Sequence, residues 1–381
     1  MPDVKPQQPA ASRPHVVICT DGVFPRAMGG MQRHSRLLAE HLAATGRIRL
    51  TVIHPHEPGV FAGINGIQEV PITGIDPSRF YLAELWRYSG RVAAELERIA
   101  PDVILSQGFS VWKHMGRFSD RLIVHPHGLE MFQGLTWKER MMGLPFRRVV
   151  RYMARRSKVV ISLGGRLTPI LEKLVNGSRA RVVVLPNAVD VPPPASFRST
   201  APPMRALFVG RFAWNKGIDL LIGVARRFEQ EGRQDALRFL LAGDGPLLAS
   251  IKAAGVPSNV ELLGRVDDDQ LFDLYSGCDV FVLPTRFEGM PTVVLEAMAR
   301  SRPIIVSDVG ATAELVDGTN GSLLPSGDEA ALRRALDRML ASTAEERRAM
   351  GEASYARCAQ HFGWPKVTER FLDLFATVAK R

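Results

Sequence analysis

From His15 onward, short apolar runs alternate with longer stretches in which apolar residues recur every three or four positions. Short runs bounded by Gly, Pro and Asp read as buried strands, and the longer stretches read as amphipathic helices. Their alternation predicts βαβ units around a parallel sheet. The first half supplies HVVIC, a helical stretch from Gly30 to Ala44, LTVIH, a helix through Ala83 to Ile99, DVILSQ, RLIVH, a helix through Phe146 to Arg156, KVVISL and RVVVLP. The stretch Val191 to Met204 then carries five prolines and suits neither a core strand nor a helix, so it reads as a linker. After it the alternation restarts with RALFVG, LRFLLAG, VELLG, VFVLP, RPIIVS and GSLLP, and the chain closes on an amphipathic helix from Trp364 to Lys380.

The expected architecture is therefore α/β, with two doubly wound Rossmann-like parallel-sheet domains facing across a cleft. The borders expected are a tail over 1–13, a first domain over 14–190, a linker over 191–204, a second domain over 205–363 and a closing helix over 364–381 that returns to the first domain. A length of 381 residues with 46% hydrophobic content suits two cores better than one. No run reaches the ~18 apolar residues of a membrane span, and the start lacks the apolar stretch of a secretory signal. A cytoplasmic location is the expectation. Cys19, Cys278 and Cys358 are far apart without ligand spacing, and read as reduced, packed side chains.

Charge adds an asymmetry. Residues 1–190 hold 26 Lys and Arg against 15 Asp and Glu, whereas the remainder holds 23 against 24. The excess points to an anionic surface or substrate meeting the first half. Within it, Lys138 to Lys158 carries eight basic residues and one acidic, interleaved with Trp137, Met141, Met142, Phe146 and Met153. That composition suits the interface of an anionic bilayer, although Pro145 interrupts any single long helix, and an Arg-rich solvated face has the same pattern. No nucleic-acid-binding pattern accompanies the charge.

Ligands of open α/β sheets bind outside the carboxyl ends of the strands, so the loops there carry the candidate chemistry. After VFVLP come Glu288, Gly289, Met290 and Pro291, then a helix from Thr292 that contains Glu296. Gly289 allows close backbone approach, Pro291 fits the first helical turn, and the free amides there suit phosphate. Glu288 and Glu296 can accept from hydroxyls; read alone, they are equally a helix cap and a solvated helix position. The loop after RALFVG brings Arg211 and Lys216, two cations able to neutralise a departing diphosphate, or two surface charges. In the first domain, Gly29 and Gly30 open a helix after HVVIC, and the strand RLIVH leads to His127, with His125 competing as the histidine of interest. Neither the Gly29–Gly30 loop nor GDGPLL, at Gly243 to Leu248, completes the three-glycine dinucleotide fingerprint, which disfavours a nicotinamide enzyme.

Taken in order, GGMQRHSRLLAEHLAATG, HPHG, LPNAVD, FVGRFAWNKG, LAGDGP, LLGRV and LPTRFEGMPTVVLEAMA resemble the retaining glycosyltransferases of family 4, which have the GT-B fold. The resemblance covers nearly the whole chain, and the family's paired glutamates fall on Glu288 and Glu296. It implies a nucleotide-sugar donor, UDP- or GDP-linked, and no metal or other cofactor. Glu288 would meet the sugar hydroxyls, Glu296 the ribose, and Arg211 and Lys216 the diphosphate. The amides around Gly289 and Met290, with Pro291 and Thr292 opening the helix and the Gly29–Gly30 loop, would complete the phosphate site. His127 would face the sugar, and the backbone at Val266 the base. Ala188 and Met290 depart from the residues more usual in the family, the second at a position that bears on donor fit. The acceptor implied is a hydroxyl, on a lipid-linked or anionic glycan of cell-envelope synthesis at the inner membrane face. A nucleotide-sugar 2-epimerase or hydrolase of the same fold, or a non-catalytic membrane-associated scaffold, are the competing functions.

Overall fold

A computed structural model describes residues 13–133, 137–194 and 202–380, with the side chains of 138–140 outside the description. Most of the expected tail and the middle of the proline-rich stretch thus lie outside the described residues. The first sheet contains β1 (His15–Cys19), β2 (Arg49–His54), β3 (Ile67–Pro71), β4 (Val103–Gln107), β5 (Leu122–His125), β6 (Val159–Ser162) and β7 (Arg181–Val184). The second contains β8 (Met204–Val209), β9 (Leu237–Ala242), β10 (Val260–Gly264), β11 (Val280–Leu283), β12 (Ile304–Ser307) and β13 (Gly321–Leu324). Their orders are β3-β2-β1-β4-β5-β6-β7 and β10-β9-β8-β11-β12-β13. Both orders reverse direction once, between β1 and β4 and between β8 and β11, where both neighbours run parallel.

Most of the strands that read as continuous apolar runs are buried along their whole length, including β1, β4, β5, β6, β11 and β12. Helices cover both faces of such strands, which removes the alternation of a half-exposed strand. β3 is the strand that the pattern does not predict: its burial alternates, with Gln68 and Pro71 exposed, and it lies at the edge of its sheet. An edge strand needs few apolar residues, so IQEVP gives little signal. The helix expected from Phe146 is preceded by a short one, Trp137–Met142, and itself runs Leu144–Arg156, with Gly143 at the break. Pro145 sits in its first turn, where the missing N–H costs nothing.

Contacts divide the chain into two compact units that interleave in sequence. One holds residues 1–125, 156–159 and 370–381; the other holds 126–155 and 160–369. In the first unit, the end of the closing helix Trp364–Ala379 buries Phe371, Leu372, Leu374, Phe375 and Val378. Phe371 packs 6.3 Å from His34, and Lys158 Nζ donates to Val378 O at 3.0 Å. Those contacts place the end of this helix against helix Gly30–Ala44 and the residue that leads into β6. All three cysteines are buried, and desolvation raises their thiol pKa values. Among the described residues, no helix is long and apolar enough to cross a membrane.

Candidate active site in the second unit

The switch point of the second sheet lies between β8 and β11, and the loops leaving those strands are sewn together there. Asn215 O accepts from Arg286 N at 2.7 Å and from Thr285 Oγ1 at 2.8 Å. Arg286 is nearly buried, donates to Trp214 O at 2.6 Å, and holds both carboxylate oxygens of Asp219 at 2.8 Å. Its guanidinium also lies 4.4 Å from the centre of the Trp214 ring. Gly217 completes the junction: its φ is +72°, and a Cβ there would overlap the carbonyl of Pro284. Only glycine fits such an approach in that conformation.

This stitching brings Lys216 Nζ onto Glu288 Oε1, an ion pair with both side chains largely shielded. Glu288 is therefore committed to a cation and does not cap the helix that follows: helix Thr292–Met298 has no side-chain cap. Pro291 stands at the N-cap position rather than inside the first turn, a one-residue offset that leaves its lack of an N–H harmless. Glu296 is half-buried and accepts from the hydroxyl of fully buried Tyr275 at 2.8 Å, so it is not a solvated helix position. Arg211 begins the same loop as Lys216, with an exposed side chain.

The 288–291 loop is held from several sides. Ala311 N donates to Gly289 O at 2.7 Å, and Asn187 Nδ2 to Met290 O at 2.7 Å. Gly310, at φ +55°, has no room for a Cβ against the carbonyls of Glu288 and Gly289. A Cβ on Gly289 would sit 2.6 Å from His127 O and 3.0 Å from Leu163 Cδ1. His127 thus touches the loop through its carbonyl, and takes a left-handed φ of +61° that side chains seldom adopt. Arg166 pairs with Asp308 just outside this cluster, and Gly165 N donates to Glu314 Oε1 at 2.8 Å.

Of the two histidines after RLIVH, His125 belongs to the other unit's core. It is fully buried, its ring 5.4 Å from that of His34, and burial holds its pKa well below the ordinary value. Gly29 and Gly30 also lie in that unit, at the start of helix Gly30–Ala44 after β1; Gly30 faces open space, whereas Gly29 has Gln32 packed against it. Val266, after β10, lines a groove of about 510 Å³ with Leu240, Leu263, Arg265 and Gln270.

Several residues of this site were not singled out from the sequence. Arg286, Asn187 and Tyr275 hold the loops through contacts distant in sequence, for which no local signal exists. Glu130 is another: its side chain is open to solvent, yet surrounding protein raises its pKa by desolvation, with Glu288 adding to the effect and Lys216 opposing it. The motif PHGLE contains it, but nothing local marks its carboxyl as a neighbour of Glu288.

Two family models match the chain, one described as Glycosyltransferase Family 4 over residues 28–192 and one as Glycosyl transferases group 1 over residues 203–342. Among curated proteins, the alpha-maltose-1-phosphate synthase of Mycobacterium tuberculosis is 34% identical over 189 residues, which is 45% of this chain and 48% of that protein. The match thus spans about half the length of that relative. Among solved structures, sucrose-phosphate synthase from Thermosynechococcus elongatus superposes with a TM-score of 0.81 at 20% identity, covering 96% of this chain and 99% of that one. Anabaena Alr3699/HepE, solved in complex with UDP and glucose, gives 0.69 at 18% identity, covering 96% and 100%. At such identities the structural likeness shows the fold.

Proposed function

Because the chain belongs to glycosyltransferase family 4, we propose that it transfers a hexose from a UDP- or GDP-sugar to a hydroxyl acceptor, with retention of anomeric configuration and without a metal. The observation that carries this reading is the Lys216–Glu288 ion pair at the β8–β11 switch point. In the resting site each group satisfies the other. An arriving donor replaces that pair with two better ones: the diphosphate takes Lys216, and sugar hydroxyls take Glu288. Negative charge grows on the diphosphate as the glycosidic bond breaks, so a fixed cation there stabilises the transition state more than the ground state. Arg211, on the same loop, adds a second cation. The acceptor hydroxyl then attacks from the face that the diphosphate leaves, and a leaving phosphate oxygen draws off its proton.

Glu296, oriented by Tyr275, is assigned to the ribose, Val266 to the base, and His127 to the sugar. The amides of Gly289, Met290 and Thr292 are assigned to phosphate, with Pro291 shaping the turn between them. The UDP and glucose bound by the Anabaena protein support a nucleotide-sugar donor of this kind. Glu288→Ala and Lys216→Ala should each lower turnover at least ~100-fold, a loss of about 2.7 kcal/mol of transition-state stabilisation. Near-normal turnover in both would remove the site assignment. A thermal-shift panel of nucleotide sugars identifies the donor, since a ligand at 100 times its dissociation constant stabilises by about 2.7 kcal/mol.

The acceptor in this proposal is a lipid-linked or anionic glycan of the cell envelope, met by a cytoplasmic enzyme resting on the inner membrane face. Trp137, Met141, Met142, Leu144 and Tyr152 are exposed beside the exposed Arg148 and Arg151, which supports a docking face for anionic lipid. Two further cations of the segment are engaged internally: Arg155 donates to Asn176 O at 2.6 Å, and Lys158 to Val378 O. Replacing Arg148 and Arg151 by Gln together with Trp137 by Ala should abolish sedimentation with phosphatidylglycerol vesicles. Unchanged sedimentation would defeat the membrane assignment.

A further inference from the structure

The turn after His127 carries a second carboxyl on the segment that abuts the Glu288 loop. Leu129 is buried, and the single helical turn Glu130–Phe132 that follows it is pinned by Arg147 Nε, which donates to Met131 O. The turn folds the Glu130 carboxylate back over Gly128, so closely that a Cβ on Gly128 would overlap it. The preceding carbonyl, of His127, lies against Gly289, the residue next to Glu288. Gly128 thus carries the Glu130 carboxylate on the segment that abuts the Glu288 loop. The electrostatic coupling of Glu130 to both Glu288 and Lys216 agrees with that placement.

We propose that Glu130 is a second carboxyl of the donor-sugar subsite, which with Glu288 binds the hydroxyls of a neutral sugar and turns away an acidic one. This rests on the donor-site reading above and deepens it. The argument is one of charge. In the resting site Lys216 is the cation coupled to Glu130 among the described residues, and Glu288 is the second carboxyl. Once a diphosphate engages Lys216, that cation compensates the two carboxyls less. A neutral hexose or N-acetylhexosamine offers hydroxyls to both carboxylates. A uronic acid would bring a third carboxylate into the same space, where like charges disfavour one another. Such rejection acts through repulsion, independently of how well the nucleotide is held.

Isothermal titration calorimetry tests this without an acceptor. The probes are UDP, UDP-glucose, UDP-N-acetylglucosamine and UDP-glucuronate, with GDP and GDP-mannose for the guanine series, on wild type, Glu130→Ala and Glu130→Gln. Wild type should bind the best neutral sugar nucleotide more tightly than the nucleoside diphosphate alone, and UDP-glucuronate at least about 10-fold more weakly than UDP-glucose. Glu130→Ala should bind the diphosphate within 2-fold of wild type and lose about 5-fold or more of the gain due to sugar. Glu130→Gln should recover that gain and narrow the discrimination against glucuronate about 5-fold or more. A sugar gain untouched in Glu130→Ala, or glucuronate discrimination untouched in Glu130→Gln, overturns the proposal while leaving the donor site standing. Wild type that binds no nucleoside diphosphate overturns the donor-site reading, and the role of Glu130 with it.

Discussion

Acid should unfold the first unit through a buried histidine. His34 is 2% exposed, with its ring 5.4 Å from that of His125 and 6.3 Å from that of Phe371. Burial lowers its pKa from 6.5 to about 4. A base whose folded pKa is depressed takes up protons more readily in the unfolded chain. Its contribution to stability is therefore complete above pH 6.5 and is lost as pH falls from there through 4. The shift corresponds to about 3 kcal/mol in full, and about 2 kcal/mol of it is gone by pH 5. That is a large part of the ~5–15 kcal/mol typical of a folded domain. His34→Leu keeps an apolar side chain of similar size and removes the titration. Urea unfolding, followed by tryptophan fluorescence and circular dichroism at pH 7.5 and pH 5, should show the variant losing about 2 kcal/mol less than wild type over that interval. His125 titrates with the same sign in both proteins, and its charge coupling to His34 acts in that direction in wild type alone, so the difference between them reads His34 together with that coupling. Equal losses in the two proteins would refute a neutral, desolvated His34.

Arg286→Ala should cost about 1–2 kcal/mol of stability, since it leaves Asp219 and the carbonyl of Trp214 without their shared partner, and it should lower affinity for a nucleoside diphosphate by loosening Lys216. Arg286→Lys should recover little of either, because an ammonium cannot hold both oxygens of Asp219 at once; full recovery by Lys would contradict the bidentate role. Tyr275→Phe should cost about 1 kcal/mol and weaken binding of UDP more than that of 2′-deoxy-UDP; equal effects on both nucleotides would separate Glu296 from the ribose. Gly289→Ala, whose Cβ would press 2.6 Å from His127 O, should destabilise by about 1–3 kcal/mol and displace the loop. Calorimetric unfolding and a donor thermal shift read both consequences, and a variant unchanged in both would show that the loop has slack.

The elements of this protein follow from local sequence to a large degree. Strands such as HVVIC and VFVLP announce themselves because both their faces are covered, and the helix from Gly30 follows from a three-to-four apolar spacing. The paired glutamates, Lys216 and Arg211 were visible as chemistry at strand ends. What stayed ambiguous was their state: a carboxylate before a helix has the same sequence whether it caps that helix or faces a cation.

Tertiary contacts resolved that state. Glu288 meets Lys216, 72 residues away, because Arg286, Asp219 and Asn215 stitch two loops together, and Glu296 is turned inward by Tyr275, 21 residues earlier. His125 and His127, two residues apart, part company, one into a core and one against Gly289. Glu130 gains a role only because Gly128 and Gly289 are carried on backbone segments that touch. Hydrophobic periodicity is a property of neighbours along the chain, so it can be read there. Charge pairing, and the burial of a single polar group, depend on which distant segment packs alongside, and that is decided only when the sheets and their loops assemble.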